Sequence, residues 1–517
     1  MPEQQTPTGG GSAGPPGQAE DLAAGSLTGR VAGSMGWSFG GKALTWACKL
    51  TKLTVVAAVL RPEDFGLFGV VLLSMAALRT FSQTGFQSAL IRRQGDPDRY
   101  LDTAWSIQLL RGILLAACLA LLAPVIGAFF ESPEVVPLLR VMSLALFIRG
   151  FINIGVVYFR KKLQFHKDFL FNALPALLNV VSGVGLALYL RSVWALVYSS
   201  LLVNACQVAL SFLLHPYKPR FRLDLEKVRE LFGFGKWVLA TSILGFIALH
   251  GDDAFLGKVL GMTALGVYQL AYNISTIGIR ELSITINRVI FPSYSLMQSD
   301  RRRMRRACLR TLGVTVLLIT PIAAGVAAVA PMFVEVLLGQ KWMPAVAPMQ
   351  LLCIFGYLHS PAAIAMGVFY ATDRPRLMAF SILVQVGVLA VLIWPATHFL
   401  LVPGTCAAVI AGMLAGQVYS TTMLCRVLEM PGRKFIQVFA GASVPGVLMF
   451  ATVRFAALAL GTSLLSLILL ILLGVLSYGI YCAGAWMLSS IDSPLLRWCD
   501  PFRDASDIAL RALGRIE

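Results

Sequence analysis

The sequence predicts an all-α polytopic membrane protein, and three observations carry that expectation. Its 517 residues are 57% hydrophobic and only 13% charged, with a mean hydropathy of +0.75, which is incompatible with a water-soluble body of this size. Apolar runs of roughly 20 residues recur about every 35 residues, each long enough to cross a hydrocarbon core of ~30 Å. The basic residues gather in alternate connecting segments, as the positive-inside rule expects of a multi-pass chain.

Taken in order, residues 1–33 are rich in Pro, Gly and Ser without periodicity and are expected to be a disordered cytoplasmic tail. About 14 spans follow, at 34–60, 65–90, 104–128, 136–159, 169–190, 193–214, 236–257, 265–293, 308–331, 345–370, 377–398, 404–425, 435–458 and 463–489. Short links such as Phe130–Val135 and Leu190–Val193 leave no room for a domain on that side, where the only cations are Arg61, Arg191, Lys258 and Lys341. The other links hold most of the remaining Lys and Arg, including the run Arg301, Arg302, Arg303, Arg305 and Arg306. That asymmetry places both termini in the cytoplasm and accounts for the net charge of +17 without nucleic acid. The loop 215–235 mixes both signs of charge, as an amphipathic surface helix would.

An internal repeat appears at an offset of 200: Leu60 and Leu260, Gly66 and Gly266, and Phe68 and Tyr268 are matched pairs in VLRPEDFGLFG and VLGMTALGVYQ. Six spans separate the copies, so both enter the membrane in the same direction, related by an axis along the bilayer normal. The expected plan is two pseudo-symmetric six-helix lobes, 34–214 and 236–425, plus two further helices in 426–490 and a cytoplasmic tail at 491–517.

Several segments are more specific than hydropathy. RPEDFGLFG at 61–69, FRKKLQFHKDF at 159–169, GDDAFLGKVLGMTALGVYQLAYNIS at 251–275, FPSYSLMQSDRRRMRRA at 291–307 and GQKWMPAVAPMQLL at 339–352 resemble the polysaccharide transporter branch of the multidrug/oligosaccharidyl-lipid/polysaccharide flippase superfamily in order and spacing. The resemblance implies two six-helix bundles around a central cavity and outward movement of lipid-linked saccharides. It also implies a bacterial inner-membrane location, with a polysaccharide polymerase and glycosyltransferases as partners. One departure is YATDRPR at 370–376, where Thr372 and Asp373 stand in place of the family's small residue and Gly.

The charges within the spans suggest where a ligand binds, because an ionisable group facing lipid costs ~2.5–3.5 kcal/mol. Lys42, Lys49 and Lys52 fall within an arc of about 80° on the first helix, and Trp46 lies on the same face. Arg79, Gln83 and Gln87 share a face of the second span, with Arg79 well inside it, and Asn273 and Arg280 belong to a polar face along the eighth. Of the acids, Asp252 and Asp253 lie beside His250 on the seventh span, and Glu281 points away from Arg280. Five deep cations against three deep acids leave an excess that suits an anion such as the diphosphate of a polyprenyl-linked oligosaccharide. Lys42, Trp46, Lys49, Lys52, Arg79, Gln83, Asn273 and Arg280 are therefore the expected substrate-binding residues, with Asp252, Asp253, Glu281 and His250 as ion-coupling groups or interlobe ion pairs.

No Walker-type phosphate loop occurs, and the nine cysteines scatter without metal or disulfide spacing, so no enzyme activity, metal or cofactor is expected. Asp96 and Asp98 form a D-x-D in a short loop and read as a turn. The competing readings are a cation-coupled drug exporter of the same superfamily, disfavoured by the cationic cavity, and a non-transporting scaffold of a polysaccharide assembly complex, which leaves the buried polar faces unexplained.

Overall fold

The computed structural model describes residues 44–82, 98–161, 164–222, 235–298 and 300–489. The expectations for the two tails, Lys42, Gln83, Gln87, Asp96 and the 223–234 part of the connecting loop therefore lie outside the described residues. No strand occurs among the described residues.

Helix α1 (44–59) ends at Leu60, and Pro62 starts α2 (Pro62–Phe81) at the position where a missing N–H costs nothing. Asp64 in the first turn accepts the Arg61 backbone N–H at 3.0 Å and also that of Val193 at 3.1 Å. It thereby ties the start of α2 to the turn between α5 (Phe165–Leu190) and α6 (Trp194–Leu214). Between them lie α3 (Asp98–Phe129), α4 (Val135–Gly150) and a short helical turn at Val157–Lys161. α3 and α4 approach so closely that a Cβ on Gly112 would stand 2.8 Å from the Gly150 Cα.

After the connecting loop come α7 (Gly235–Val259), α8 (Gly261–Leu296) and α9 (Arg301–Phe333). Five arginines open α9, where cations oppose the helix dipole; Asp300, which accepts the Arg303 N–H at 2.9 Å, offsets this in part. A π-helical turn at Val334–Leu338 and a 3₁₀ turn at Gln340–Ala345 lead into α10 (Val346–Ala371). Helix α11 (Pro375–Val427) has 53 residues and breaks at Leu401 (φ 55, ψ −134). Its arms fold back antiparallel: Ser381 Oγ donates to the Gly416 carbonyl, and Thr397 and Thr405 share a hydrogen bond. α12 (Gly432–Ala459) and α13 (Leu464–Ser489) complete the chain.

Among the described residues, nine helices are long and apolar enough to cross a membrane. α7 and α8 are not among them; they have the length but carry Asp252, Asp253, Arg280 and Glu281. The protein is a multi-pass helical membrane protein whose two most polar spans by this measure lie next to α2, against which both pack.

The departure at 370–376 has a regular geometry. The Arg374 N–H donates to the Phe369 carbonyl and that of Asp373 to Tyr370, with Asp373 left-handed at φ 56. This is a helix C-terminal motif in which Gly is the unstrained residue. Asp373→Gly is expected to raise the thermal unfolding midpoint, through a gain of about 1 kcal/mol, with no change in helix content by circular dichroism.

Candidate functional site

The repeat at offset 200 becomes a physical crossing. A Cβ on Gly66 would lie 1.8 Å from the Met262 carbonyl oxygen, and a Cβ on Gly266 would lie 1.8 Å from that of Pro62. Position 66 of one copy meets 262 of the other and 266 meets 62, the reciprocity that a two-fold axis imposes. Gly69 faces its own equivalent, Gln269, across the same axis, its added Cβ falling 2.2 Å from Gln269 Oε1.

Other contacts seal this end of the molecule. Trp342, fully buried, donates Nε1–H to the Ala57 carbonyl at 2.7 Å and meets the Phe65 ring edge-on at 5.1 Å. Lys341 Nζ donates to the Ala58 carbonyl at 2.7 Å. At the rim, Lys258 at the end of α7 pairs with Glu131, 2.6 Å away in the turn after α3. That hydrogen bond and the lysine charge hold the Glu131 carboxyl below the ordinary glutamate value. The contact is therefore complete at neutral pH and is lost as pH falls through the depressed value. As pH falls below the ordinary glutamate range, labels flanking Glu131 and Lys258 are expected to move apart in electron–electron double resonance distances, and Glu131→Gln should remove the response.

Deeper in, the first-helix cations separate. Lys49 Nζ lies 3.6 Å from Glu281 Oε1 on α8, which supplies the partner that Glu281 lacked in the sequence. Lys52 turns the other way and donates to Asn179 Oδ1 on α5 at 2.6 Å, in a network with Ser182 and Ser199. The single cationic stripe expected from sequence is thus divided, because α1 lies between α5 and α8 and a three-residue step hands the two amines to different neighbours. Arg280 and Asn273 are exposed on α8. Arg79 differs from its expected depth: described α2 ends at Phe81, so Arg79 sits in the last turn rather than mid-span.

Trp46 packs against α8, where a Cβ on Gly278 would come within 2.7 Å of its ring. Its indole N–H is buried without a hydrogen-bond partner. Together with Leu50, Gly278, Met449 and Tyr478 it lines an apolar groove of about 510 Å³ between α1, α8, α9, α10, α12 and α13. Lys49 and Glu281 stand within the same helical turns as this groove's walls.

The α7 acids form a second cluster. Asp252 is 4% exposed; Tyr268 donates its hydroxyl proton to Oδ2, and Oδ1 has no partner. Asp253 accepts from Gln269 Nε2 at 3.4 Å and lies 3.4 Å from His250 Nδ1. Gln269 thus links the crossing axis to this carboxylate. Among the described residues no group of three or more His, Cys, Asp or Glu has the arrangement to hold a metal ion.

Sequence reasoning did not single out Arg111 and Arg149. Arg111 donates from Nη2 to the Arg79 carbonyl at 2.9 Å and from Nε to Ser82 Oγ at 3.1 Å, binding α3 to the end of α2. The signal was present in the sequence: each continues an apolar stripe at a four-residue step.

Residues 55–347 match the family described as polysaccharide biosynthesis protein. The chain belongs to that family. It is 27% identical over 317 residues to the lipopolysaccharide biosynthesis protein WzxC of Escherichia coli K12, covering 60% of this chain and 64% of WzxC. It is 26% identical to the succinoglycan biosynthesis transport protein ExoT of Rhizobium meliloti, covering 60% of this chain and 63% of ExoT. The chain thus spans a little under two thirds of the length of these relatives. In fold it is similar to the lipid II flippase MurJ in an inward closed conformation, with a TM-score of 0.68 and 12% identity over 88% of this chain and 98% of that one. It is also similar to an inward-facing MATE family multidrug resistance transporter, with a TM-score of 0.59 and 17% identity over 74% and 96%.

Proposed function

We propose that this family member is a flippase that moves a polyprenyl-diphosphate-linked oligosaccharide from the cytoplasmic to the outer leaflet of a bacterial inner membrane. In this reading the chain crosses the membrane fourteen times, as two six-helix lobes and two further helices, with both termini in the cytoplasm. The sealed end faces outward, and alternating access exchanges that seal for one at the opposite, arginine-rich end.

The observation that carries the proposal is the coincidence of charge and apolar groove: Lys49 and Arg280 lie on the same turns of α1 and α8 as Trp46, Leu50 and Gly278, which line the groove. Such a seam suits a molecule with an anionic head and a long apolar tail, and amphipathic cations would be repelled from it. Inside-negative potential aids the outward step by ~2.3 kcal/mol per charge per 100 mV. The test is transport of a fluorescent polyprenyl-diphosphate oligosaccharide in proteoliposomes. Arg280→Ala and Lys49→Ala are expected to slow it at least tenfold while keeping monodisperse protein; wild-type rates in both variants would reject the cationic seam.

The buried carboxylate of Asp252, with one oxygen unpartnered, is our candidate for coupling to a cation gradient. Asp252→Asn is expected to leave folding intact and abolish the dependence of transport on an imposed sodium or proton gradient. A gradient response equal to that of the wild type would assign Asp252 a purely structural role.

A further inference from the structure

Helices α2, α3 and α4 pack through one apolar seam, to which α2 contributes Val71 and Met75, α3 Leu115, Leu119 and Ala123, and α4 Leu138, Met142 and Ala145. Each stripe ends, one four-residue step further on, in an arginine: Arg79 after Met75, Arg111 before Leu115 and Arg149 after Ala145. The three arginines therefore gather at the end of the seam remote from the Gly66–Gly266 crossing. Two contacts fix this arrangement. Gly112 and Gly150, each next to one of these arginines, bring the α3 and α4 backbones together, and Arg111 is bonded to the Arg79 carbonyl and Ser82.

The charges of Arg111 and Arg149 both bear on Arg79, yet none of the three is ion-paired with a carboxylate among the described residues. Among the described residues these three like charges are held together without a counter-charge, an arrangement that favours an anion joining them. Arg149 is exposed at this end, so the cluster is open to a ligand. The flanking surface is apolar and also exposed: Leu110, Ile113 and Leu114 on α3, and Leu144 and Phe147 on α4. An anion bound here would have hydrocarbon-facing helix alongside it, which suits a phosphate attached to a lipid more than a phosphate free in water.

We infer that Arg79, Arg111 and Arg149 form a binding site for the phosphate group of a membrane lipid, at the membrane edge of α2–α4 and separate from the Lys49–Arg280 seam. Planar guanidinium forks from three helices suit the oxygens of a phosphomonoester or diphosphate. The site stands on its own contacts and does not depend on the transport reading.

The experiment is lipid binding to the purified full-length chain in neutral detergent, followed by native mass spectrometry, with polyprenyl diphosphate, phosphatidylglycerol and phosphatidylcholine as probes. Arg149→Gln and Arg79→Gln are the variants, because among the described residues neither side chain donates a hydrogen bond that holds two helices together; Arg111 is left intact because its side chain does. Arg140→Gln, on α4 but nearer the sealed end, controls for net charge. The expected result is retention of one or both anionic lipids over phosphatidylcholine, weakened about tenfold or more by each of the two variants and unchanged by the control. Preference for polyprenyl diphosphate would mark the source as a lipid-linked carrier, and preference for phosphatidylglycerol would mark it as bulk membrane lipid. Wild-type retention in both variants, or equal loss in Arg140→Gln, overturns the site.

Discussion

Gly66→Val is expected to prevent closure of the sealed end. The clash is with backbone: the added Cβ alone would sit 1.8 Å from the Met262 carbonyl oxygen, where no rotamer change gives relief. α2 and α8 would have to separate by an ångström or more along their crossing, and the rim contacts from Trp342 and Lys258 would separate with them. Over-packing of this kind costs about 1–3 kcal/mol in the closed state. A closed state favoured by a margin of that order would lose its majority, since each 1.4 kcal/mol is a factor of ten in population. Labels on either side of the Glu131–Lys258 contact should shift to longer, broader distances, and transport should fall at least tenfold. Gly266→Val should do the same through Pro62, and the double variant should add little, because both act at one crossing. A distance distribution for Gly66→Val that matches the wild type would refute this account of the seal.

Trp342→Ala removes the largest of the fully buried side chains. It takes away the bond to the Ala57 carbonyl and the edge contact with Phe65, and leaves a cavity between the segment preceding α10 and the α1–α2 corner. Substitutions of this type cost about 3–5 kcal/mol, so a marked fall in the unfolding midpoint in detergent is expected. Trp342→Phe retains most of the packing and gives up the hydrogen bond, for a loss of about 1 kcal/mol. Equal midpoints for the alanine and phenylalanine variants would mean that the bond, rather than the volume, dominates.

The repeat was legible in the sequence, but the crossing was not, because an offset does not say which helices touch. Gly66 and Gly266 were paired by their offset alone, and the structure brings both against the opposite helix. The spans 377–398 and 404–425 were likewise separable in the sequence, and the structure breaks α11 between them at Leu401. Helical periodicity was less informative about direction. It put Lys49 and Lys52 on one face, but which neighbour each amine meets depends on tertiary packing that one helix does not encode. The partner of Glu281 was hidden for the same reason, being 232 positions away in the chain at Lys49. Arg79 was placed too deep because its span was drawn on to residue 90, whereas α2 ends at Phe81. Arg111 and Arg149 were passed over although both fall inside expected spans, because neither stands in an extended polar face of its helix; only the folded α2–α4 seam brings the three together.

The break in α11 has a consequence for how the protein is made. The turn between its arms, His398 to Pro403, contains no Lys, Arg, Asp or Glu, whereas Arg374, Arg376 and Arg426 mark the far ends of both arms. Those arginines hold the far ends of both arms on one side, and the uncharged turn is the part carried across. With Thr397 bonded to Thr405, and a Cβ on Gly404 only 1.9 Å from the Ala396 carbonyl oxygen, the turn is too tight to be stranded in water while one arm waits for the other. If each arm is a crossing, as proposed, a turn this tight favours their entry into the bilayer together as a hairpin, and truncating the nascent chain within the second arm is expected to leave the first uninserted.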